Sequence, residues 1–353
     1  MKQQRTSYRV PREHGPKVVA IGGGHGLSNM LRGLKNYTEN LSAIVTVADD
    51  GGGSGMLRQD LGMPPPGDIR NCMEALANTE PLMRELMHYR FTEGTLAGQS
   101  FGNLFLAALN GISPTFDVAV ERMSQVLAIT GRVLPVTTAD VQLEAEFENG
   151  ASVVGESKIF YCKKKEDCRI TRVRLLPEHS KALPAALAAI QEADMLIFGP
   201  GSLYTSIIPN LLVDGIVEAI LQSRAMKFYV CNVMTQAGET DNYSAEDHLR
   251  VLLEHGRKGI ADYIVVNSRS TISEDVLARY ADEGAAPVYY NKAELEALKV
   301  KVIEANLLNE QQVLRHDSAR LAACIMDVIY TRCGLKFPLG WRKIYKIARK
   351  KAK

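Results

Sequence analysis

The stretch KVVAIGGGHGLSNMLRGLK, residues 17–35, decides the fold. It opens with a short apolar run, Lys17 to Ile21, continues through Gly22, Gly23, Gly24, His25 and Gly26, and then places Leu27, Met30, Leu31 and Leu34 at helical spacing. That is a strand, a glycine turn and a helix. A second β-branched run, Ala43 to Val47, follows about one helix later and ends in Asp49, Asp50, Gly51, Gly52, Gly53, Ser54 and Gly55, which completes a βαβ unit with a parallel pair. The opening is therefore Rossmann-like.

Outward from this unit the pattern changes twice. From Pro64 to Asn110 it is helical: Asp68 is placed to cap a helix through Ile69, Met73, Leu76 and Ala77, and Phe101 to Leu109 reads as a buried helix after a glycine-rich loop. From Arg132 to Leu176 alternation takes over, as in Val141, Leu143, Ala145 and Phe147, with Asn149-Gly150 as a hairpin turn. Then α/β order returns. Ala182 to Glu192 is helical, and Asp194 to Phe198 is a strand ending in Gly199, Pro200, Gly201 and Ser202. Lys227 to Cys231 leads into Asn232 to Thr240, and Ala261 to Val266 leads into Asn267, Ser268 and Arg269. The expected fold is α/β: a Rossmann-like parallel sheet with helices on both faces, a helical insertion, and an antiparallel β excursion over about 132–176. The expected organisation is a lead-in over 1–16, one domain over 17–333 and a basic tail over 334–353.

The chain has 353 residues, 46% hydrophobic and 23% charged, which excludes disordered and fibrous classes. Its six cysteines form no CxxC pair and its first residues hold no apolar signal core, so reduced thiols and a cytoplasmic location are expected. The formal charge is +2, but residues 341–353 carry seven basic side chains and no acid, which leaves the rest at −5. An acidic body gives no support to a nucleic-acid partner. In the tail, Trp341, Ile344, Tyr345 and Ala348 share one helical face; the readings are peripheral contact with anionic lipid or a frayed, solvated end.

In an open parallel sheet, ligands bind where strand C-termini meet unpaired backbone amides and helix N-termini. Gly22 to Gly26 bears no side chain except His25 to obstruct a phosphate, although tight turns needed only for packing would look the same. The strict GxGxxG spacing is absent, so a nicotinamide cofactor is only weakly suggested. Asp49 and Asp50 suit ribose hydroxyls, Mg²⁺ or a base, or simply a solvated turn. Gly199, Pro200, Gly201 and Ser202 form a second phosphate-sized turn, and Asn232, Thr235, Gln236, Glu239, Thr240 and Asp241 make a polar strand end suited to a base or sugar, or to plain capping and turn chemistry. Asn103 is a helix cap or a ligand contact, Arg315 a phosphate ligand or a solvated cation, and His25 a base or a tolerated turn residue. No Ser-His-Asp elbow, HExxH or Walker lysine is present.

These motifs, with PPGDIRNCMEALA, RVLPVTTADVQLEAEF, FGPGSLYTSIIPNLLV, YVCNVMTQAGETDNYSAEDH and LRHD, resemble the YvcK-like gluconeogenesis factors, within the larger fold group of the phospholactate transferase CofD. The resemblance runs from about Lys17 to Ile329. It implies a core that binds a UDP-sugar, typically UDP-N-acetylglucosamine, and a bacterial role in cell-wall synthesis and shape on gluconeogenic carbon. It also implies protein partners in cell-wall metabolism and a homo-oligomer. The transferase cousins imply the alternative, a Mg²⁺-dependent phosphoryl-group transferase with Asp50 as its catalytic residue. By resemblance Gly22 to Gly26, Asp49, Asp50, Asn103, Gly199 to Ser202, Asn232 and Thr235 lie on the nucleotide side, Arg315 matches the LRHD motif, and Tyr280 approaches uracil or sugar; Asn267 is expected on the same rim from its place at a strand end. The sequence departs from the family at His25, usually Thr, and at Gly53, commonly Ser. A hydroxyl contact to phosphate is then lost or replaced by imidazole.

Overall fold

The computed structural model describes residues 15–166, 168–268, 272–282, 284–309 and 314–332. Most of the lead-in, Arg269 and the basic tail lie outside the described residues. Seven strands form one parallel sheet: β1 (Val18–Gly22), β2 (Leu41–Val45), β3 (Arg132–Pro135), β7 (Met195–Phe198), β8 (Met226–Val230), β9 (Tyr263–Asn267) and β10 (Lys301–Ala305). Their spatial order is β3-β2-β1-β7-β8-β9-β10, with every neighbouring pair parallel. From β1 the chain winds outward through β2 to β3, then crosses back to place β7 on the other flank of β1. The switch point, where a doubly wound sheet opens a crevice, therefore lies between the ends of β1 and β7.

Every residue of β1, β2, β7 and β8 is buried. A parallel sheet is covered on both faces, which is why VVAI and MLIF read as unbroken apolar runs rather than alternating ones. The helix Gly24–Leu34 turns Leu27, Met30, Leu31 and Leu34 inward and packs against the helices Gly67–Leu76 and Ser318–Arg332.

The helical insertion comprises Gly67–Leu76, Pro81–His88, Phe101–Gly111 and Phe116–Val126. Two details differ from the sequence reading. The helix Gly67–Leu76 has Pro66 at its cap, with Asp68 in the first turn. The helix Phe101–Gly111 is amphipathic: it buries Gly102, Asn103, Leu106 and Ala107, while Phe101, Leu104 and Phe105 are only partly covered.

The antiparallel excursion is smaller than expected, because Arg132–Pro135 is the edge strand of the main sheet. Three strands, β4 (Gln142–Phe147), β5 (Ser152–Val154) and β6 (Ile170–Leu176), pair in the order β5-β4-β6 about the Asn149-Gly150 turn. Between β5 and β6 lies a helix, Glu156–Glu166, that no clean apolar stripe announces. This unit folds back over the switch point: Asp50 Oδ1 accepts from the Ser157 amide at 2.7 Å, and the buried Tyr204 hydroxyl donates to the Ile170 carbonyl at 3.2 Å.

Candidate functional site

The glycine loops after β1 and β7 touch. A Cβ on Gly26 would overlap the Pro200 carbonyl, so glycine is required there by the close approach of two backbones. Two asparagines hold the loops in place. Asn210, fully buried, donates from Nδ2 to the Gly22 carbonyl at 3.1 Å and to the Ser206 carbonyl at 2.8 Å. Asn232 donates to the Gly201 carbonyl at 2.9 Å and accepts from the Gly201 amide at 3.3 Å. After Ser202 the chain makes a π turn, Leu203–Ile207, in which the Ser206 and Ile207 amides share the Ser202 carbonyl, both at 3.0 Å. Such irregular turns store an unusual amide arrangement and cluster at ligand sites.

Four helix N-termini meet around these loops. They belong to Gly24–Leu34, Gly52–Leu61, Gly67–Leu76 and Phe101–Gly111. Contacts tie each to the next: Gly23 abuts Asp68, Gly67 abuts Ser54, and Gly53 abuts Gln99 just before the Ser100 cap. Unpaired amides and aligned dipoles give this rim a positive field. Cations reinforce it. Arg70, nearly buried, is held by Asn103, Glu74 and Asn71 at 2.9, 2.6 and 2.9 Å. Burial lowers the pKa of His25, and Arg315, Arg70 and Arg32 push it down further, so the imidazole is neutral at pH 7.

A cleft of about 190 Å³ opens beside the rim, lined by Gly26, Pro200, Ser202, Asn232, Gln236 and Arg315 among others. Arg315 reaches it from a two-residue ladder between β11 (Leu308–Asn309) and β12 (Arg315–His316). The ladder is anchored from below. His316 Nε2 donates to the Cys231 carbonyl at 3.2 Å, with burial lowering its pKa to about 4, and Asn29 donates to the His316 carbonyl at 2.5 Å. The Leu314 amide donates to the Tyr280 hydroxyl at 2.8 Å.

Beneath the rim sits a group of carboxyls with raised pKa values. Asp68 is pushed up to about 6 by burial and by Asp49, despite a bond from the Gly24 amide. Burial raises Glu239 to about 7; its Oε1 accepts from Thr205 and Gln236, both at 3.0 Å. Glu156 is raised strongly by burial and by Asp49, Asp68 and Glu239. Around neutral pH this group therefore exchanges protons, with Glu239 titrating at about 7 and Asp68 at about 6. Asp49 Oδ1 accepts from the Gly51 amide at 2.8 Å, and Asp50 Oδ1 accepts from the Ser157 amide on the excursion at 2.7 Å. No three His, Cys, Asp or Glu side chains among the described residues are arranged to hold a metal ion.

Of the residues singled out in the sequence, Gly26, Pro200, Gly201, Ser202, Asn232 and Arg315 line one cleft. Gly22, Gly23, Gly24, His25 and Gly199 belong to its two loops, and Asn103 joins through Arg70. Three others hold the scaffold. Asn267 accepts from the Leu307 amide at 3.1 Å, Thr235 pairs with Ala286 through bonds of 2.7 and 2.9 Å, and Tyr280 supports the segment that carries Arg315. Gln236 and Glu239 belong to the polar strand end already read from the sequence, whereas sequence reasoning passed over Arg70 and Asn210. Only Asn210 left a signal, a lone amide inside the apolar run IIPNLLV.

No helix among the described residues is long and apolar enough to cross a membrane. Comparison with known proteins agrees with the geometry. The family model described as 2-phospho-L-lactate transferase CofD matches residues 18–308. The chain is 55% identical over 317 residues to a putative gluconeogenesis factor of Thermoanaerobacterium thermosulfurigenes, covering 90% of this chain and 98% of that one. It is 47% identical over 316 residues to the gluconeogenesis factor of Bacillus subtilis, covering 89% and 98%. A crystal structure of a UPF0052 family member from Bacillus halodurans superposes with a TM-score of 0.84 at 48% identity, covering 88% of this chain and 98% of that one. With the doubly wound sheet and its paired glycine loops, these matches place the chain in the CofD family, among the YvcK-like gluconeogenesis factors.

Proposed function

We propose that this protein binds a UDP-sugar, with UDP-N-acetylglucosamine as the leading candidate, and regulates cell-wall synthesis and cell shape during gluconeogenic growth. One observation carries the reading: four helix N-termini, Arg70 and Arg315 converge on loops from which side chains are nearly absent. A diphosphate is the ligand group that this field and this backbone suit best. Its nucleoside would extend into the cleft by Asn232 and Gln236. The relatives' name, gluconeogenesis factor, supports the physiological part.

The test is calorimetric titration with UDP-N-acetylglucosamine, UDP-glucose and GDP, with and without Mg²⁺, followed by chromatography of the recovered nucleotide. Tight binding of one UDP-sugar, recovered intact, is the expected result. Preference for GDP, or a cleaved ligand, would overturn it in favour of a transferase. A deletion strain that grows normally on gluconeogenic carbon would overturn the regulatory role.

A further inference from the structure

The rim contains a polar group that nothing in the protein satisfies. Gln99 is 4% exposed and its backbone is fixed on both sides, by the Leu96 carbonyl and the Phe91 amide, each at 2.9 Å. Its Nε2 donates to the Met56 sulfur at 3.7 Å, yet Oε1 has no donor. That oxygen faces the first turn of the helix Gly52–Leu61, 2.8 Å from where a Cβ on Gly53 would stand, while beyond Gly52 there is open space. A buried carbonyl without a donor is costly, and terminal amide torsions turn easily. Beside it, the helix N-terminus offers amides that need acceptors. The pair thus asks for a group that donates and accepts at once, which describes a hydroxyl or a secondary amide and not a phosphate.

Resting on the UDP-sugar reading above, we infer that Gln99 and the Gly51–Gly53 turn form the subsite for the sugar, with the sugar's hydroxyl or acetamido group donating to Gln99 Oε1 and accepting from the helix amides. The geometry fits the phosphates on Gly22–Gly26, because that loop ends the neighbouring strand and adjacent parallel strands lie about 4.8 Å apart. The sugar then points away from the Asn232 side of the crevice, where the nucleoside would lie. Gln99 is on this account a specificity-determining residue.

The experiment compares the Kd of UDP with that of UDP-N-acetylglucosamine for the full chain, for Gln99→Leu and for Gln99→Glu, with thermal unfolding as a check on folding. In the unaltered protein the sugar should tighten binding over UDP. Gln99→Leu should cut that advantage about tenfold, the worth of one hydrogen bond in a buried site, while the Kd for UDP stays within about twofold. Gln99→Glu, which keeps an acceptor oxygen at that position, should preserve more of the advantage than Gln99→Leu. An unchanged advantage in Gln99→Leu, or an equal loss of UDP and UDP-sugar affinity, would overturn the subsite. If the unaltered protein binds neither compound, the UDP-sugar reading itself fails.

Discussion

Replacing Glu239 by Gln should flatten the fall of stability with rising pH. Glu239 is 5% exposed, and burial raises its carboxyl to about 7 from an ordinary value of 4.5. Between those values the folded chain keeps a proton that the unfolded chain has lost. The resulting stability is complete below about pH 4.5 and disappears as the pH rises through 7. Each pH unit of that gap is worth about 1.4 kcal/mol, so ionising Glu239 costs on the order of 3 kcal/mol by about pH 8.5. Gln has the shape of the protonated acid, keeps an oxygen for Thr205 and Gln236, and cannot ionise. Asp68 and Glu156 titrate in both proteins, so the difference between the two isolates position 239. The assay is urea unfolding at several pH values between about 5 and 9. The variant's stability relative to the parent should climb by about 3 kcal/mol across the series. Parallel curves would refute the reasoning, since they would mean that Glu239 titrates alike in both states.

Gly26→Ala should destabilise the fold by about 1–3 kcal/mol, because its Cβ overlaps the Pro200 carbonyl. In an unconstrained helix the same change stabilises by about 1 kcal/mol, so a raised melting temperature would disprove the close approach. Arg315→Ala should weaken UDP-sugar binding about tenfold or more without unfolding the chain, since the side chain lines the cleft on an independently anchored ladder; an unchanged Kd would remove it from the site. Binding of UDP should tighten from about pH 8 to pH 6, as Glu239 and then Asp68 lose their negative charge near the phosphates. A flat calorimetric profile would show that the ligand lies outside the field of these carboxyls.

Much of the architecture was legible because it is written in local patterns. Runs such as VVAI and MLIF suit strands buried on both faces, as in a parallel sheet, and the glycine-rich stretches that follow mark where those strands end. The readings that failed depend on distant neighbours. Arg132–Pro135 has the composition of its antiparallel successors, and only its pairing with β2 assigns it to the main sheet. Likewise Asp68 looks like a cap for its own helix, yet it bonds the amide of Gly24, which starts another. The backbone contacts of Asn267 and Thr235 were invisible in the sequence because their hydrogen-bond partners, Leu307 and Ala286, lie 40 and 51 residues away.

The sequence by itself determined that two glycine turns would close two parallel strands and that the chain would be α/β, since backbone sterics and burial period are local properties. Tertiary structure alone decided that these turns are adjacent, because adjacency comes from the crossover that sets β7 against β1. It also decided which polar side chains are left for a ligand. A carboxylate or amide takes its role from the donors that reach it first, and in this fold those donors satisfy Asp50, Thr235 and Asn267 but leave the oxygen of Gln99 without one.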